Sequence, residues 1–318
     1  MIMDKDGYRF SFGPWNLHEG ADPFGPAVRP TVPFEKKIEV YQRLGFDAVQ
    51  FHDDDAVPDL DNKTPAQIVS EARAMKQRLA DAGLVPEFVA PRLWENPITV
   101  DGAYTSNDPQ ARAYARERSH RMLDIAGAMD LTFVVVWLAR DGTYMREAKD
   151  AVRAVDLLVE ALDDMLDYAP NVRIAIEPKP NEPMDLSYIP TVGHAVALGF
   201  KTRAPERMGV LVETAHAILA GLDPADEMAF GLAYDKLWSV HLNDQNGLKF
   251  DQDRSFGSVN LRRAFDQVLL LDDQRFHEKG MIGLDVKAVA NFSSDCRSTS
   301  FARAISSLLR CMSSSRLR

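Results

Sequence analysis

The sequence predicts an α/β protein, a parallel (β/α)8 barrel. Eight short β-branched or aromatic runs recur along the chain, and stretches of helical periodicity separate them. Polar and charged residues also collect at the C-terminal ends of those runs. Strands alternating with helices build parallel βαβ units, and a closed barrel carries its chemistry at the C-terminal ends of its strands. The alternative, an open doubly wound sheet, needs a Gly-rich phosphate loop after its first strand, which is missing here. A chain of 318 residues can hold two domains or one large barrel, and the strand count favours one, over residues 1–288.

The runs come in order. RFSFG starts at Arg9, and AVQFH at Ala48 is followed by His52 and Asp55. PAQIVSEARAMKQRLADA, Pro65 to Ala82, repeats apolar residues every three or four positions and reads as a helix. EFVAP at Glu87 precedes Trp94, FVVVW at Phe133 ends in Trp137, and Asp150 to Tyr168 is a second long helix. RIAIEP at Arg173 closes on Glu177, Lys179 and Glu182, and GVLVE at Gly209 closes on Glu213 and His216. WSVHL at Trp238 carries His241 and leads to Asn243, Asp251 and Asp253, while IGLDVK at Ile282 ends with Asp285 and Lys287. Composition changes after residue 288: the last 28 residues hold nine serines, five arginines and no lysine, a local charge of +4 against −14 elsewhere. Segment 289–318 is either a terminal helix around FARAISSLLR with a frayed end or a replaced C-terminus; composition alone weighs them evenly.

The net charge of −10 disfavours nucleic-acid partners. The longest apolar stretch, Phe133 to Ala139, is too short for a bilayer, and the N-terminus has no signal-like core, so a cytoplasmic location is expected. The two cysteines, Cys296 and Cys311, supply neither a disulfide framework nor a thiolate site, so a metal would sit on oxygen and imidazole.

A carboxylate ending an apolar strand bears a desolvation cost that a cation would offset. Glu177, Glu213 and Asp285 would converge on one axis, where like charges stay ionised beside a divalent metal, and His241 could complete the set. Singly, each reads better as a solvated strand end or helix cap; four in step with the barrel period do not. Glu213 with His216, Asp251 and Asp253 has the composition of a neighbouring site, and a shared carboxylate can bridge two ions. For FDQD at 250–253 alone, a polar turn is the better reading. His52 is a candidate acid-base group oriented by Asp55, or else part of an acidic loop. Lys179 shares a strand face with Glu177 and could polarise a carbonyl, or pair with Glu182. Trp94 and Trp137 either wall a pocket or belong to the core.

In FHDDD (51–55), IEPKPNEP (176–183), PTVGHA (190–195), LNDQNGLKFDQD (242–253) and LDVK (284–287) the chain resembles the xylose isomerase family, collinearly from about Arg9 to Lys287. The resemblance implies a TIM barrel and a metal-dependent aldose-ketose isomerase that acts on xylose or a similar sugar by a 1,2-hydride shift. It implies two divalent ions per subunit (Mg, Mn or Co), one on Glu177, Glu213 and Asp285, the other on Glu213, His216, Asp251 and Asp253. By the same resemblance His52 with Asp55 assists ring opening, Lys179 contacts the carbonyl oxygen at carbon 1, and Asp253 lies near the water that moves the hydroxyl proton. Trp94 stands where the family usually has Phe, and Trp137 matches its Trp. Phe24 in ADPFG corresponds to an aromatic that enters a neighbouring subunit's pocket, which implies a homo-oligomer, dimer or tetramer. Two features depart from the family. His241 replaces an Asp, which shifts metal preference from Mg towards Mn or Co, and the segment after residue 288 does not resemble the usual final helix and arm. Two other functions follow from these departures: a ketose epimerase using Glu177 and Glu213 for proton transfer, and a barrel that binds sugar or metal without turnover.

Overall fold

The computed structural model describes residues 8–17, 19–20, 26–28, 30–248, 250–277 and 280–287; Phe24 and segment 289–318 lie outside the described residues. Eight strands form one sheet: β1 (Phe10–Phe12), β2 (Ala48–His52), β3 (Val85–Ala90), β4 (Phe133–Trp137), β5 (Arg173–Glu177), β6 (Met208–Glu213), β7 (Leu237–His241) and β8 (Met281–Leu284). Their hydrogen-bonded order is 3-2-1-8-7-6-5-4, and every pairing is parallel. The end strands β3 and β4 stand side by side, with the rings of Phe88 and Phe133 at 5.9 Å, so the sheet is a nearly closed barrel.

One long helix fills each gap between strands: α1 (Phe34–Leu44), α2 (Pro65–Asp81), α3 (Pro109–Ala128), α4 (Ala151–Tyr168), α5 (Val192–Lys201), α6 (Pro224–Ala233) and α7 (Leu261–Leu271). Their starts are written locally. Thr64 and Gln67 cap α2 reciprocally, and Asp108, Asp150 and Asp223 accept N–H bonds in the first turns of α3, α4 and α6. Gly45 ends α1 with φ 78°, a conformation that suits glycine.

Alternation along the strands divides the core. Val49, Phe51, Val134, Val136 and Ile176 face the helix ring, whereas Phe88, Ala90, Phe133, Val135, Ala175 and Leu211 pack inside the barrel. That inner layer is apolar on one side only, because Ser11, Gln50, Glu87 and Ser239 are buried inside it as well. Glu87 and its neighbour Phe88 both face inward, against the period of two. The register steps from Val49 opposite Pro86 to Phe51 opposite Val89, so two β3 residues stand opposite Gln50 alone, and this bulge re-aims Glu87. No described helix is long and apolar enough to cross a membrane.

Candidate metal centre and active-site cleft

Glu177, Glu213 and His241 are the last residues of β5, β6 and β7, and Asp285 follows β8 directly. Parallel strands in register therefore deliver three carboxylates and an imidazole to one rim. His241 Nδ1 lies 3.2 Å from Glu177 Oε1, 3.5 Å from Glu213 Oε2 and 3.7 Å from Asp285 Oδ2. Trp15, just past β1, donates from Nε1 to the other Asp285 oxygen at 3.1 Å.

A second donor group shares Glu213. His216 sits in the helical turn Thr214–Leu219, with Nε2 at 3.4 Å from Glu213 Oε1 and 3.0 Å from Asp251 Oδ2. The loop after β7 turns Asp251 and Asp253 into the cleft and leaves Phe250 exposed, so this segment is a polar turn with two inward carboxylates. Backbone hydrogen bonds help to hold the loop there. The Asp251 N–H donates to Glu182 at 3.1 Å, and the Lys287 N–H donates to the Asp253 carbonyl at 3.0 Å. Asn243 Nδ2 joins the two groups, donating to Glu213 at 2.9 Å and to Asp253 at 3.1 Å.

The electrostatics follow from crowding. Glu213, His216 and His241 are at most 4% exposed. Burial pushes the Glu213, Asp253 and Asp285 carboxyls up, and a facing carboxylate adds to the rise: Asp251 for Glu213 and Asp253, Glu213 for Asp285. Burial alone would lower both imidazoles, but Glu213 raises His216 and Glu177 raises His241 above the ordinary histidine value. Asp251 goes the other way: despite burial, Lys179 and His216 hold it well below the carboxylate range. Six carboxylates line the cleft. His216 Nδ1 and Asp251 Oδ1 are buried without a hydrogen-bond partner among the described residues. Two clusters of oxygen and imidazole donors, Glu177/Glu213/His241 and Glu213/His216/Asp251, each lie within 4.8 Å. An oxygen-rich, negatively charged donor set with orphaned ligand atoms fits a divalent cation in each cluster.

The remaining predicted residues surround these clusters. Lys179 pairs with Asp251 at 3.0 Å and with Glu182 at 3.1 Å, yet still lines the cleft, so the ion pair and the functional placement coexist. Trp94 and Trp137 meet edge to face at 4.5 Å, His52 packs against Trp94 at 4.8 Å, and the Trp15 ring lies 4.4 Å from His52. They wall a cleft whose floor and sides also include Phe88, Arg92, Lys179 and both donor clusters, an apolar wall with convergent polar groups of the kind that binds small molecules. His52 Nδ1 is 3.3 Å from Asp55, and Arg92 approaches the same nitrogen at 2.9 Å. The acidic run 53–55 splits by role. Asp53 is clamped by Arg118 with two 2.7 Å bonds, Asp54 pairs with Arg92 at 2.8 Å, and Asp55 meets both Arg92 and His52. Arg92, although burial opposes it, holds Asp55 well below the ordinary value.

Sequence reading passed over Trp15, Gln50, Glu87 and Arg92. Trp15 and Arg92 follow β1 and β3 as the other site residues follow their strands, and Gln50 shares a strand face with His52, so those three had a positional signal. Glu87 had none, because a bulge turns it inward.

A family model described as xylose isomerase-like TIM barrel matches residues 38–284. Xylose isomerase of Thermus thermophilus is 37% identical over 282 residues, covering 87% of this chain and 72% of that protein. Among solved structures, D-psicose 3-epimerase from Clostridium cellulolyticum H10 superposes with a TM-score of 0.66 at 12% identity, covering 96% of this chain and 99% of that one. The zinc-bound IolI protein superposes at 0.61 and 13% identity, covering 96% and 97%. At such identities these structures show a shared fold.

Proposed function

The chain belongs to the xylose isomerase-like TIM-barrel family, and from that premise we propose that it is an aldose-ketose isomerase working by a metal-assisted 1,2-hydride shift on xylose or a similar aldose. The observation that carries this reading is the pair of donor clusters sharing Glu213, beside the Lys179 ammonium. Glu177, Glu213, His241 and Asp285 would hold one divalent ion, and Glu213, His216, Asp251 and Asp253 the other. Bound there, Mg, Mn or Co supplies positive charge that stabilises an alkoxide on the open-chain sugar.

The chain's own residues do the rest. Burial opposes charge on Lys179, but Asp251 and Glu182 raise its ammonium above the usual lysine value, so it stays a cation able to polarise a carbonyl oxygen. Asp253, lifted by burial and by Asp251, can take or return a hydroxyl proton. His52 stands against Trp15 and Trp94 at the cleft wall, where it can move a proton at the ring oxygen during opening. Trp94 and Trp137 offer apolar faces to C–H groups and keep water from the carbon undergoing transfer.

A ketose epimerase is the second reading. It is favoured by Glu177 and Glu213 flanking a single imidazole, a pair that could remove and return a proton on opposite faces. Incubation with a panel of aldoses and ketoses in heavy water with Mn or Mg separates the two. Ketose formed without solvent deuterium supports the isomerase, deuterium-labelled epimer supports proton transfer, and no product from any sugar rejects both.

A further inference from the structure

Beneath the cleft lies a buried polar layer that neither donor cluster uses. Ser11, Gln50 and Ser239 are 0% exposed and Glu87 is 7% exposed. An acid in a barrel core is costly unless its hydrogen bonds are made, and here they are. The Ser239 hydroxyl donates to Glu87 Oε1 at 2.7 Å, and Gln50 Nε2 donates to Glu87 Oε2 at 2.9 Å. The same nitrogen donates to Ser11 Oγ at 3.0 Å. With its nitrogen engaged, the amide turns Oε1 to His241 Nε2 at 3.1 Å. The flipped amide would set its oxygen against a carboxylate oxygen and lose these donations. An amide oxygen only accepts, so Nε2 of His241 carries the proton, and a neutral imidazole then keeps its lone pair on Nδ1. Nδ1 is the nitrogen that faces Glu177, Glu213 and Asp285.

We infer that Glu87 acts through Gln50 as a positioning relay that holds His241 in the Nε2–H tautomer, with Nδ1 as its metal-binding nitrogen; this rests on the reading of His241 as a ligand. Two backbone features are built around the relay. The bulge in β3 brings Glu87 inside the barrel. Gly283 on β8 leaves the room: a Cβ there would lie 2.4 Å from Gln50 Nε2 and 2.7 Å from His241 Cδ2. An outer hydrogen bond of this kind fixes the tautomer and ring direction of a ligating histidine.

The test uses the full chain and Mn2+ affinity, measured by competition with a chromophoric chelator. Gln50→Leu and Glu87→Leu are expected to weaken Mn2+ binding about 10- to 100-fold, whereas Glu87→Gln, which keeps an acceptor for the Gln50 amide, stays within a few-fold of the parent. Nitrogen-15 spectra of histidine-labelled parent protein loaded with Zn2+ need no variant to fold, apart from His241→Ala to assign the resonance. They should show His241 protonated at Nε2 and metal-bound at Nδ1. The reverse tautomer overturns the relay. Mn2+ affinity unchanged in His241→Ala overturns the ligand reading itself. Loss in His241→Ala alone, with Gln50→Leu and Glu87→Leu behaving as the parent, overturns the relay and leaves the metal site standing.

Discussion

Glu213 is the side chain on which both donor clusters depend, since its two oxygens face His216 and His241 separately. Glu213→Gln should therefore weaken Mn2+ binding at both positions, by more than the roughly 10- to 100-fold that loss of an outer partner costs, in a calorimetric titration. Retention of two tight sites would reject the shared role. The imidazoles set the pH dependence. Facing carboxylates overcome burial and raise His216 and His241, so both keep protons that an incoming cation must displace. A histidine raised on folding contributes stability below its unfolded value, and that contribution is lost as pH rises through the folded value. Metal affinity should accordingly climb, and metal-free stability should fall, as pH rises above the ordinary histidine value of about 6.5. Thermal melts with and without Mn2+ check this: the gap between the two midpoints should widen as pH rises.

At the scale of elements, strand ends and helix starts do different work. The start of α2 is fixed by the reciprocal cap of Thr64 and Gln67, neither of which lines the cleft, so Thr64→Ala should cost about 1 kcal/mol in urea unfolding while Mn2+ affinity stays unchanged. The loop carrying Asp251 and Asp253 is held by Glu182 and by Lys287, which pairs with Asp253 at 2.8 Å. Strands are legible as periodicity because burial of alternate residues is a local pattern, and all eight runs appear as strands within two residues of their predicted starts. The bulge in β3 is not legible, because the extra residue only acquires meaning against the register of β2.

For the whole molecule, barrel closure rests on side chains where the ladder ends. Phe88 and Phe133 meet across the β3–β4 seam, and Phe133→Ala should cost about 3–5 kcal/mol, read from denaturant midpoints. Ligand linkage acts at this scale too. A cation at about 100 times its dissociation constant should stabilise the barrel by about 2.7 kcal/mol, visible as a rise in melting temperature that a chelator reverses. If the chelator leaves the melting temperature unchanged at saturating metal, the clusters do not hold a cation.

The sequence by itself determined the barrel, the order of its elements, and the carboxylates and histidines at the strand ends, because period and strand-end position are properties of neighbouring residues. Only the tertiary structure decided which of those groups share an ion-sized space and which residues hold them in place. Trp15 reaches Asp285 across 270 residues of sequence, Gln50 reaches His241 across 191, and Ser239 reaches Glu87 across 152. Such contacts exist only once the sheet has curled round to set β1, β2 and β3 beside or across from β7 and β8, and no local pattern encodes that distance.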